Sequence, residues 1–111
     1  MADNIQDNMT NENSDIGELT EAANKASELL KSLANNHRLM ILCMLANGEM
    51  SVSEIAKYID LGQSPLSQHL AILRTDGLVK TRKVAQNVFY SLDSREASEV
   101  IITLHKLYCA K

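Results

Sequence analysis

The chain has 111 residues, 45% of them hydrophobic, and a formal net charge of −3. That composition allows one small domain with a thin core, of the kind often completed by a second copy. No apolar run approaches the roughly 18 residues of a membrane span, and no basic-then-apolar start marks a signal peptide, so a cytoplasmic protein without a membrane partner is expected.

Residues 1–16 are rich in Asn, Asp, Glu and Ser and are expected to form a disordered acidic tail. Residues 17–111 then hold the folded domain. Leu19, Ala22, Ala23, Ala26, Leu29, Leu30 and Leu33 recur at helical spacing, which predicts an amphipathic first helix. Asn35 or Asn36 caps a second, running Arg38 to Leu45 and apolar nearly all round, as a central buried helix is. Asn47-Gly48 stops it. Ser51 and Glu54 have the Ser-x-x-Glu spacing of a capping box and open a third helix. After a turn at Leu61-Gly62-Gln63, a fourth helix carries Pro65 in its first turn, where a missing N–H costs nothing. Gly77 closes it. Two short β-like runs follow, Leu78–Thr81 and Val88–Leu92. Asp93 and Glu96 start a last helix with apolar positions at Ala97, Val100, Ile101, Leu104, Leu107 and Tyr108. Four helices, a β-hairpin and a fifth helix make a mainly α chain with the order of a winged helix-turn-helix, a DNA-docking architecture.

An acidic chain is an unpromising DNA binder until the charge is located. Residues 1–20 hold five acids and no Lys or Arg; residues 21–111 hold nine acids against eleven bases. From Lys57 to Tyr90 five bases (Lys57, Arg74, Lys80, Arg82, Lys83) face two acids (Asp60, Asp76). The footprint is local and modest. Phosphate neutralisation supplies much of DNA affinity, so two copies would hold DNA better than one. The apolar stripes of the first and last helices point the same way: a two-fold homodimer would cover both.

On the fourth helix, Leu66, Leu70 and Leu73 share a face and are expected to be buried. Ser64, Ser67, Gln68 and Ala71 lie on the other face with His69 beside them; Gln63 precedes it and Arg74 closes it. Gln pairs with adenine, Ser donates or accepts, and His reaches phosphate or a base edge. The helix N-terminus adds amide donors for phosphate. Between the β-runs, Arg82, Lys83, Gln86 and Asn87 suit a wing tip that reaches the backbone or minor groove. The competing reading is a winged helix that binds protein only, with an ordinary solvated hairpin. An enzyme is not expected: no nucleophile–base set, phosphate-binding glycine loop or complete metal set is present, and no cofactor is implied.

Leu33-Ala34-Asn35, Arg38-Leu39-x-Ile41-Leu42 and Ser64-x-x-Ser67-x-His69-Leu70-x-x-Leu73-x-x-x-Gly77-Leu78-Val79 together resemble the ArsR/SmtB repressors. The resemblance implies dimers on palindromic operators, most of them responding to metals or small inducers. The familiar metal sites are not matched. Where some members carry Cys-x-Cys in the third helix, this chain has Ser51-Val52-Ser53, and hydroxyls do not replace thiolates for soft metals. His105 in the last helix lacks the Asp-x-His partner of a zinc site.

Cys43 and Cys109, with Val84–Tyr90 and Leu107-Tyr108-Cys109, resemble the branch that contains the biofilm growth-associated repressors and the HlyU-type virulence regulators. That resemblance implies a regulator whose two cysteines sense persulfides and other reactive sulfur species, with an AT-rich operator at the nucleoid. Alternatives are an antirepressor that displaces a nucleoid silencer, its cysteines incidental, and a metal-responsive repressor using Cys43, His105 and Cys109. Read without the family, Cys43 among Ile41, Leu42, Met44 and Leu45 is a small hydrophobe. Tyr58, Tyr90 and Tyr108 are packing residues, and His37 is solvated.

Overall fold

The computed structural model describes residues 13–109; most of the expected tail therefore lies outside the described residues. The elements run α1 (Asn13–Leu33), α2 (Asn36–Leu45), β1 (Met50–Ser51), α3 (Val52–Tyr58), α4 (Gln63–Thr75), β2 (Val79–Val84), β3 (Asn87–Leu92) and α5 (Arg95–Tyr108). The expected winged helix-turn-helix order is present. One element was not expected: β1, only two residues long, pairs antiparallel with β3 and makes the wing a three-stranded sheet of order β1-β3-β2. Two residues carry too little periodicity to read as a strand.

The chain divides after Lys31 into two units. The first is most of α1, on which Ile16, Leu19 and Leu30 are 45–55% exposed and the alanines of the predicted stripe are exposed as well.

The second unit contains the core. Its fully buried large side chains are Ile41 and Leu42 of α2, Ile55 of α3, Leu70 and Leu73 of α4, and Ile101 of α5. α2 is the central helix that its all-round apolar sequence predicts: it packs against α4, α5 and β3.

Three helix starts are fixed by a side-chain cap. The Asn35 side chain accepts from the amides of His37 and Arg38 and caps α2. Ser51 and Glu54 form the reciprocal capping box at α3, which satisfies two amides at once. At α5 the cap is Ser94, not Asp93: its hydroxyl accepts from Ala97 N–H.

The exit from α4 decides where the wing begins. Gly77 has φ +77°, its amide donates to the Arg74 carbonyl, and Leu78 N–H donates to Leu73 O at 2.9 Å. This pair of bonds around a left-handed residue is the Schellman ending. Leu78 and Leu73 are both buried, so the turn also delivers β2 to the core. The strands run longer than expected, to Val84 and from Asn87. Arg82 and Lys83 are thus strand residues, and the tip is Ala85-Gln86, with Ala85 at φ +55°.

Truncating Leu70 to Ala removes a buried side chain from the second unit and should cost about 2–5 kcal/mol in denaturant unfolding. Gly77→Ala should cost about 1–2 kcal/mol although a Cβ there meets nothing within 4 Å, because the penalty is the left-handed backbone itself; thermal unfolding measures it.

Candidate nucleic-acid interface and thiol pair

Burial of Leu66, Leu70 and Leu73 turns the rest of α4 outward. Gln63, Ser64, Ser67, Gln68, Ala71 and Arg74 are exposed, as expected of a reading helix. The α4 N-terminus has Gly62 as its cap and no side-chain bond to its first amides, so those donors face any anion that approaches. Ile72 and Thr75 are also exposed on this helix. Ser64, Gln68 and Ile72 follow at four-residue spacing on one row. Ile72 offers the apolar contact that a thymine methyl group accepts. The sequence reading places Ile72 on neither face; its i, i+4 relation to Gln68 was the signal that could have found it.

His69 is placed differently from the other predicted contacts. It is half-buried, and its ring lies 5.5 Å from that of His37. Arg38 Nη1 lies 3.3 Å from His69 Nδ1. A guanidinium can only donate, so Nδ1 accepts and the ring proton sits on Nε2. Arg38 also donates from Nε to the Ser32 carbonyl at 2.8 Å, and the buried Ser32 hydroxyl donates to Asp76. The end of α1, the start of α2, the middle of α4 and the turn into the wing are joined by this chain of polar contacts. Burial, then the charges of Arg38 and His37, hold the His69 pKa below the ordinary histidine value. His37, expected to be solvated, is a half-buried member of the cluster.

On the wing, Lys83, Gln86 and Asn87 are exposed. Arg82 is committed: Nε donates to Glu49 Oε2 at 2.7 Å and Nη2 to Oε1 at 2.8 Å, with the guanidinium carbon 5.0 Å from the Phe89 ring centroid. Nothing in the spacing of residues 49 and 82 announces this pair; β1 brings it together.

Cys43 and Cys109 are both free thiols, the first half-buried on α2 and the second exposed at the end of α5. α2 packs on α5. Burial, and after it the charge of Cys109, push the Cys43 thiol above its ordinary pKa, so the two groups lie within electrostatic reach of one another. Among the described residues no three His, Cys, Asp or Glu side chains are gathered as metal ligands; Cys43, His105 and Cys109 are not assembled into a site within one chain. No helix among them is long and apolar enough to cross a membrane.

Residues 35–81, from the α2 cap into β2, match the bacterial regulatory protein arsR family. The chain is 54% identical over 94 residues to the transcriptional activator HlyU of Vibrio cholerae, covering 85% of this chain and 87% of that protein. The chain belongs to the ArsR family. It is also 37% identical over 111 residues to the biofilm growth-associated repressor of Xylella fastidiosa, covering 100% of this chain and 93% of that one. Among solved structures, reduced HlyU from Vibrio cholerae superposes with a TM-score of 0.80 at 55% identity, over 83% of this chain and 97% of that one. The protein is a DNA-binding transcriptional regulator of the ArsR type, and its relatives are named as regulators rather than enzymes.

The depressed His69 pKa has a definite sign. The fold favours the neutral ring, so the stability it contributes is present above the unfolded-state pKa and is lost as pH falls through the lower, folded-state value. An NMR titration should place His69 below the roughly 6.5 of a free histidine, and Arg38→Gln should raise it by removing the neighbouring guanidinium charge.

Proposed function

We propose that this chain acts as a homodimeric regulator, most simply a repressor, whose hold on a palindromic, AT-rich operator weakens when reactive sulfur species join Cys43 to Cys109. Residues 17–111 serve as the DNA-binding and dimerisation domain, working on the nucleoid in the cytoplasm. Gln63, Ser64, Ser67 and Gln68 enter the major groove, with Arg74, Lys83, Gln86 and Asn87 on the flanking backbone, while His69, engaged by Arg38, holds the helix from behind. The homodimer is supported by the exposed apolar side chains of α1 and, separately, by Ile102, Leu107 and Tyr108 of α5, the last two 69% and 80% exposed in the single chain.

The observation that carries the thiol reading is a pair of free cysteines on two helices that pack together. Exposed Cys109 is the first to react: its thiolate attacks a polysulfide sulfur and releases a shorter polysulfide, leaving a Cys109 persulfide. The Cys43 thiol loses its proton and its thiolate attacks that persulfide. Attack at the inner sulfur expels hydrosulfide and closes a disulfide; further sulfur transfer before closure leaves a longer bridge. Thiolate is the reactive form, and the raised Cys43 pKa makes this cysteine the resolving partner. The description of one solved relative as reduced HlyU is in keeping with a protein whose thiol state matters. Bridging pins the end of α5 to α2 and shifts the dimer seam, altering the roughly 34–36 Å separation that two recognition helices need for successive grooves.

The activator name of the 54% identical relative favours a second reading of the outcome, in which the same DNA binding displaces a silencer and turns genes on. The thiols are then incidental.

Reduced protein exposed to polysulfide should lose two hydrogens and gain whole sulfur atoms, or none for a plain disulfide, in its intact mass. Its affinity for a duplex selected from a random pool should fall about 5- to 150-fold, the range of a typical coupling. Cys43→Ser should bind DNA as wild type and lose the response. An unchanged response in that variant overturns the bridge, and wild-type affinity that does not move with polysulfide leaves the silencer-displacing reading in its place.

A further inference from the structure

The Arg82–Glu49 ion pair does more than join two surface side chains. In the sheet register Arg82 of β2 stands opposite Phe89 of β3, and Phe89 stands opposite Ser51 of β1. Glu49 lies two residues before Ser51. The guanidinium therefore leaves one outer strand, passes over the ring on the central strand, and reaches the segment entering the other outer strand. Those outer strands share no backbone ladder, because β3 separates them. β1 itself is held by only two residue pairs, and Ser51 at its end is the capping residue of α3. The strap thus connects the wing to the first helix of the helix-turn-helix.

We propose that Glu49 and Arg82 are positioning residues for DNA binding, setting the wing against the helix-turn-helix, and that Arg82 is not itself a phosphate contact. Two donors of Arg82 are taken by one carboxylate in fork geometry, the arrangement in which an Arg–carboxylate pair is most specific. One face of its guanidinium is covered by Phe89. A phosphate would have to displace the carboxylate to win those two donors, and the paired charge attracts it less than a bare guanidinium would. Lys80, on the same strand, adds to the positive field at Glu49, so the carboxylate stays charged and paired at a surface meant for a polyanion. An isolated exposed ion pair contributes little to stability; the role assigned to this one is angular, and its readout is DNA affinity.

The inference rests on the wing being part of the DNA interface, and the experiment separates the two. The probe is a duplex that the wild-type protein selects from a random pool, with affinity measured across a salt series. Lys83→Ala tests the wing: its slope of log affinity against log salt should fall by about 0.9, one phosphate contact. Glu49→Ala and Glu49→Gln should each weaken binding about fivefold, at the low end of coupling effects, with the slope unchanged. The Glu49→Arg/Arg82→Glu double variant should recover most of the affinity that Arg82→Glu loses, and more of it than Glu49→Arg adds to the wild-type protein. If Arg82 contacted phosphate, removing Glu49 would free it and tighten binding, and the exchanged pair would bind no better than Arg82→Glu. Either result overturns the proposal while leaving the wing in place. If Lys83→Ala binds as wild type, the wing and its strap fall together.

Discussion

Leu66, Leu70 and Leu73 commit one face of α4 to the core of the second unit, and the exposed polar face exists because of it. Each such side chain gains about 1.5–3 kcal/mol on burial, far more than any single polar contact on the opposite face returns. Ser64, Gln68 and their neighbours therefore need no interaction of their own to be presented. They occupy the side the leucines leave free. The Schellman ending at Gly77 uses the same apolar row, since Leu73 at its start and Leu78 at its end are both buried. One stripe of leucines orients the helix, ends it and launches the wing.

Several polar groups that look like DNA contacts are employed inside the protein. His69 accepts from Arg38 and lies against His37; Arg82 is shared between Glu49 and Phe89. A small domain has little apolar area with which to fix the mutual angles of its elements, and directional polar contacts are suited to that task. The consequence is electrostatic. With Arg82 matched by Glu49, the already modest basic footprint is smaller still, and an affinity that grows with neutralised phosphates is better met by two copies than by one.

The thiols illustrate how environment divides roles between identical groups. Cys43 is half-buried and its ionisation is resisted by its surroundings and by its neighbour. Cys109 sits exposed at the end of a helix. A relative named an activator and another named a repressor lie close to the same chain.

Local rules are written in adjacent residues, and these were legible before any fold was in hand. Examples are the capping box at Ser51 and Glu54, the leucine row of α4, the all-round apolar α2 and the glycine that ends α4. Each depends on spacings of a few residues, at which side-chain chemistry and helical geometry act directly. The exposure of Gln63, Ser64, Ser67 and Gln68 was legible for the same reason. Three-dimensional closure decided the rest. β1 is too short to have a period, and exists only because β3 offers it partners. Glu49 meets Arg82 because that strand brings them together. His69 is drawn inward by residues some thirty positions away, and Cys43 feels Cys109 because two helices from opposite ends of the second unit pack together. Such pairings are set by the shape of the whole core, and no short window of sequence contains it.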